Sequence, residues 1–118
     1  MTEDRGVILP FPGLPKPSVV VTLWQRRGRP DVEELRAQLV GSGYEVIRWT
    51  SEPHQVYVPH AHIYAELLWL IDGSLTVALP ADGHLLELNP GDRVEVPAGI
   101  LHASQAGPEG AVYLAATR

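Results

Sequence analysis

An all-β sandwich or barrel carrying one accessory helix is the architecture this sequence predicts. Three observations carry that expectation. From Tyr44 onward the apolar residues recur with period two, turn signals separate nearly all of the alternating segments, and only one stretch, ahead of them, has helical periodicity.

Residues 7–17 alternate Pro with Val, Ile, Leu and Phe, a proline density that excludes a helix and predicts an extended arm. Such an arm lies across its own barrel or a neighbouring subunit. "SVVVTLWQ", residues 18–25, is a β-branched run with strand character. In "PDVEELRAQLVGSG", Asp31 caps a helix, Glu34 completes a capping box, Val32, Leu35, Leu39 and Val40 share one face, and Gly41 stops it. A single apolar stripe packs against a sheet. The segments "YEVIRWT", "QVYVPHAH", "ELLWLI", "SLTVAL", "HLLEL", "RVEVP" and "AVYLAA" then read as strands. Asp72-Gly73 and Asp82-Gly83 suit tight hairpins, and "NPGD" at 89–92 suits a type II turn. Residues 1–43, holding arm, strand and helix, are expected to pack on a barrel formed by residues 44–118, one domain overall.

At 118 residues and 45% hydrophobic content the chain is the size of one domain, burying roughly two thirds of its unfolded surface. The 9 Lys+Arg against 14 Asp+Glu give a net charge of -5, which argues against nucleic acid or anionic lipid as a partner. The short basic run Arg26, Arg27, Arg29 reads as a solvated loop. With no cysteine, any catalysis falls to His, carboxylates, hydroxyls or a bound cofactor. The N-terminus opens acidic and is broken by prolines, unlike a signal peptide, and no window has the roughly 18 apolar residues of a membrane helix; a cytoplasmic chain is expected.

The chemistry concentrates in "HAHIYAELLWLIDG", His60 to Gly73. Alternation puts Val56, Val58, His60 and His62 on one face of a strand, and Glu66, Leu68 and Leu70 on one face of the next. With the apolar members facing inward, two histidines and a glutamate meet near the turn between the strands. A buried carboxylate is costly unless paired or bound to metal, so this convergence calls for a cation. "PAGILH" supplies His102 after a Pro/Gly corner, on a strand where Ser104 shares its face. Three imidazoles and one carboxylate suit a divalent first-row metal, with two of six positions left open.

Other residues read more simply. His54 and His84 lie in turn-rich, solvated segments, and Arg93 and Glu95 alternate with Val94 and Val96 and are placed outside. Trp49 shares a face with Ile47, at the barrel mouth or in the core. Leu67, Trp69 and Ile71 make a second apolar face on the strand from Glu66, covered by the helix, the arm or another subunit. The inward positions, among them Val56, Val58, Leu75, Val77, Val94 and Val96, are apolar, and Tyr57, Tyr64, Ser104 and Gln105 are the polar candidates near the motifs for an acid or base.

These residues carry a resemblance. His60-x-His62-x3-Glu66-x6-Gly73 is similar to the first motif of the cupin superfamily, and Gly91-x5-Pro97-x-Gly99-x2-His102 to the second, with 17 residues between them. Two positions depart from the family pattern: His54 stands where the first motif usually begins with Gly, and Ala106 where the second usually ends with Asn. The resemblance implies a double-stranded β-helix, the jelly-roll barrel, over about residues 44–116. It also implies that His60, His62, Glu66 and His102 are metal ligands, and it favours a homodimer. The metal would be Fe, Mn, Ni, Zn or Cu.

Enzymes of this family use such a metal as a Lewis acid. With Glu66 ionised the centre keeps about one positive charge, favouring chelating anions such as enolates or α-keto acids. The expected function is therefore a metal-dependent enzyme, oxygenase-like or isomerase-like, on a small organic acid or carbonyl compound. The alternative is a non-catalytic cupin that binds metal or senses a small ligand. A purely structural metal fits less well, because structural sites fill all their coordination positions.

Overall fold

The computed structural model describes residues 18–118; the arm at 7–17 lies outside the described residues. The elements are β1 (Val20–Thr22), α1 (Val32–Gly41), β2 (Glu45–Ser51), β3 (Val56–His60), β4 (Glu66–Leu79), β5 (His84–Leu88), β6 (Arg93–Val96) and β7 (His102–Thr117).

All pairings are antiparallel, in the order β1-β6-β4-β7-β2, with β3 added beside β7 and β5 beside β4. The two long strands belong to both layers of the barrel. The first half of β4 pairs with β6 and with the second half of β7, which also holds β2. The second half of β4 pairs with β5 and with the first half of β7, which also holds β3. "ELLWLI" and "SLTVAL" are thus one strand, and Asp72-Gly73 is not a hairpin turn. It is a bend within β4, where the register slips on both sides of Gly73. Gly73 has φ 79°, a left-handed value that penalises any side chain, and a Cβ there would strike the Gly110 carbonyl of β7. The other two turns form as read: Gly83 N donates to Leu79 O at 2.9 Å, and Asp92 N to Asn89 O at 2.9 Å across "NPGD".

The slip preserves burial. Before the bend the even-numbered Glu66, Leu68 and Leu70 face inward; after it the odd-numbered Leu75, Val77 and Leu79 do. With Val94, Val96, Leu88 and Tyr113 they make the barrel core.

Leu67, Trp69 and Ile71 face the other way and pack with Leu114 and Ala116 against Leu35 and Leu39 of α1. The second apolar face is thus covered within the chain. Asp31 caps α1 by accepting from Glu33 N and Glu34 N. The Glu34 side chain does not close a capping box; it pairs with Arg26 at 2.9 Å. Val40 is also not on the packed face, being 56% exposed. The strand expected at 18–25 is short, because past Thr22 Trp24 N donates to Asp92 Oδ1 at 2.8 Å instead of continuing a ladder.

Val56 and Val58 are the clearest correction: they are 59% and 70% exposed, on the outer face of β3, while Tyr57 faces the interior. His60 faces inward nonetheless, because the register with β7 shifts between Tyr57 and His60. Pro59 lies inside that shift, and a residue without an N–H is found in strands at such breaks.

Candidate metal centre

Four side chains converge from the end of β3, the loop after it and the starts of β4 and β7. His60 ends β3, His62 follows in the loop, Glu66 opens β4 and His102 opens β7, directly opposite His60. One ligand atom from each lies within 4.8 Å of all the others. His62 is not on the strand; its carbonyl accepts from Gly99 N at 2.8 Å, tying the loop to the Pro/Gly corner that delivers His102.

The backbone sets two of the rings. His60 Nδ1 is 2.8 Å from Val58 O, and His102 Nδ1 is 2.9 Å from Ile100 O. A carbonyl only accepts, so each Nδ1 carries the hydrogen and each Nε2 presents a lone pair to the site. His62 stacks on Tyr64, with ring centroids 4.7 Å apart and an interplanar angle of 9°.

Glu66 Oε1 stands 3.5 Å from His102 Nε2 and 3.7 Å from His62 Nε2. Those separations are too long for good hydrogen bonds. His102 Nε2 is in fact buried with no hydrogen-bond partner among the described residues, although the Glu66 carboxylate still holds the ring's pKa above its ordinary value against the opposing pull of burial. A lone pair buried beside a carboxylate is poorly satisfied in water's absence. A divalent cation among the four satisfies both at once, and three nitrogens with one oxygen suit a first-row transition metal. The residues present fit such an ion.

The four line a cavity of about 280 Å³ with Ile47, Trp49, Tyr57, Leu68, Ser104, Tyr113 and Ala115. Trp49, 45% exposed, is therefore a residue of the mouth and not of the core. Ser104 shares the cavity with His102, as expected. Tyr64 flanks His62 outside it, and Gln105 faces away, its Nε2 3.3 Å from His54 O. His54 and His84 are exposed, away from the four. Ser51 and Tyr113 are the polar residues that sequence reasoning missed. Tyr113 alternates with Ala111 and Ala115 along β7, a pattern that marks its inward face. A larger groove, about 720 Å³, runs between α1 and the outer face of the sheet, but its Arg26 and Glu34 are spent on each other. The converging donor atoms, not the volume, select the smaller cavity.

The sequence matches no protein-family model and no curated protein. Solved structures do match. KdgF from Halomonas sp. superposes with a TM-score of 0.58 at 20% identity, over 63% of this chain and 66% of its own. The polyketide cyclase RemF from Streptomyces resistomycificus gives 0.58 at 24% identity, over 63% of this chain and 53% of its own. A cupin superfamily protein from Desulfitobacterium hafniense gives 0.56 at 16% identity, over 88% of this chain and 80% of its own. The chain has the cupin fold. It spans just under two thirds of KdgF and about half of RemF, and at these identities the likeness is one of architecture. The cupin double-stranded β-helix accounts for the way β4 and β7 serve both layers, and the His/Glu cluster sits inside that barrel.

Proposed function

We propose that His60, His62, Glu66 and His102 hold a divalent transition metal, and that the site binds and converts a small oxygen-bearing organic acid or carbonyl compound in an oxygenase-like or isomerase-like reaction. The observation that carries this reading is the buried, unpartnered Nε2 of His102 aimed at the Glu66 carboxylate beside two more imidazoles. A bound metal would supply Lewis acidity at positions the four side chains leave open. Glu66 lowers the net charge of the centre to about one, suited to a single anionic chelating group. Trp49, Ile47 and Leu68 give the ligand's body an apolar wall. That one neighbour in fold, RemF, is a polyketide cyclase supports use of such a cavity for catalysis.

The test is elemental analysis of protein purified without affinity metal or chelator, beside His60→Ala and His102→Ala variants. Near-stoichiometric iron, manganese, nickel, zinc or copper in the parent, lost in both variants, is the expected result. Full occupancy in His102→Ala would overturn the four-ligand assignment.

A second reading, ligand binding without turnover, is favoured by one observation. Beyond the four, the described residues lining the cavity include no carboxylate and no imidazole, and burial pushes the Tyr113 phenol up to about 12, out of reach of a base. Oxygen uptake or product formation by metal-loaded protein decides between the two. A homodimer is part of the proposal, supported by the exposed apolar Val56 and Val58 on β3 and Leu85 on β5, and tested by sedimentation. No helix among the described residues is long and apolar enough to cross a membrane.

A further inference from the structure

Tyr57, Trp49, Ser51 and Tyr113 stand together, and metal binding uses none of them. Trp49 Nε1 donates to the Tyr57 phenol oxygen at 2.6 Å. Ser51, only 3% exposed, sits behind the cavity wall with its Oγ 2.8 Å from the same oxygen. The indole N–H is a donor only. The bond to Ser51 can run either way, so the phenol hydrogen can turn from Ser51 to an acceptor in the cavity while the Trp49 N–H still holds the phenol oxygen. Tyr113 stays protonated beside them.

The position of this group matters as much as its bonds. Tyr57 pairs with Ser104 across β3 and β7, and His60 pairs with His102, two residues along β7. At about 3.3 Å per residue the backbone row that carries Tyr57 lies about 7 Å from the row that carries His60 and His102, close to the span of a planar chelating ring. No Lys or Arg is among the described residues lining the cavity. A second negative charge at that distance from the centre would meet hydroxyl and apolar groups with nothing to neutralise it.

We propose that Tyr57 is the ligand-binding residue at the far end of this site, donating a hydrogen bond to an uncharged acceptor on a small planar chelator that is ionised only where it faces His60, His62, Glu66 and His102. This rests on the metal-centre reading above. The ligand class is then a monoanionic enolate with a neutral oxygen on its remote side.

The experiment loads the full chain with cobalt(II) alone and follows its visible absorption while kojic acid, comenic acid or tropolone is titrated in. All three chelate through adjacent oxygens with one ionised hydroxyl, and only comenate carries a second negative charge. Kojic acid bears a hydroxymethyl group across its ring, comenic acid a carboxylate at the same place, and tropolone nothing. Kojate is expected to bind about tenfold tighter than comenate to the parent protein. Tyr57→Phe is expected to weaken kojate roughly three- to tenfold and to leave tropolone within about twofold. Comenate binding as tightly as kojate would overturn the proposal without any variant. So would a Tyr57→Phe protein that keeps kojate unchanged, or one that loses kojate and tropolone alike, which assigns Tyr57 to the framework. If the parent takes up no cobalt, the metal-centre reading fails and this proposal with it; if cobalt binds and the probe pattern fails, only this proposal does.

Discussion

Tyr57 and His60 are three residues apart on one strand and yet point the same way. Strict alternation forbids that, and the extra residue between them, at Val58 and Pro59, is why the sequence reading placed Val56 and Val58 inward and left Tyr57 unassigned. The convergence of His60, His62, Glu66 and His102 was legible because their identities and spacing are chemical. The grouping of Tyr57 with Ser51 and Tyr113 was not, because the inward turn of Tyr57 depends on a strand slip and Tyr113 reaches the other two only through the pairing of β2 with the distant β7. Tyr113 makes its own prediction. Burial, opposed by hydrogen bonding to Ser51, pushes its phenol from 10.0 to about 12. In chelator-treated protein the Tyr113 phenolate should therefore appear, by absorbance, near that value and be missing from Tyr113→Phe. The raised pKa also fixes a sign. Its stability contribution is intact below pH 10 and is lost between 10 and 12, where the unfolded phenol ionises and the folded one does not. Tyr113→Phe should flatten that loss; an unchanged alkaline limb would refute the assignment.

Among the elements, α1 was read correctly in place and extent, and its role as a cover for the sheet follows from a stripe that structure narrows to Leu35 and Leu39. What periodicity could not supply was the partner: Leu67, Trp69 and Ile71 looked equally suited to a helix or to a second subunit. Both buried leucines are 2% exposed or less. Leu39→Ala should cost about 2–5 kcal/mol by lost transfer energy plus the cavity left behind, lowering the melting temperature by roughly 10 °C or more. Because α1 packs on the outer face, metal content per folded molecule should be unaffected, and calorimetry alongside elemental analysis checks both halves. A loss of metal equal to the loss of stability would mean the helix reaches the site through the sheet.

For the whole molecule, the fold class was legible from alternation and turns, whereas strand continuity was not. Asp72-Gly73 carries turn residues, and only the partner strand reveals that the chain bends there and goes on. Gly73→Ala adds a Cβ against the Gly110 carbonyl at a left-handed φ. It is expected to destabilise by about 1–3 kcal/mol or more. Metal affinity should fall as well, although Gly73 touches no ligand; equilibrium dialysis of the folded variant tests this, and parental affinity would count against a shared bend.

The reason lies in the ladder between β4 and β7. Glu66 sits at one end of it, opposite Thr117, while His102 lies one residue beyond the other end, where Ala103 meets Ala78. Laid flat, thirteen steps of about 3.4 Å would hold them some 44 Å apart. They are 3.5 Å apart because the ladder is folded back on itself at its glycines. A cation held by both would act as a clasp between the two leaves of a hinge, so the rate at which a chelator strips the metal should report how often the barrel springs open.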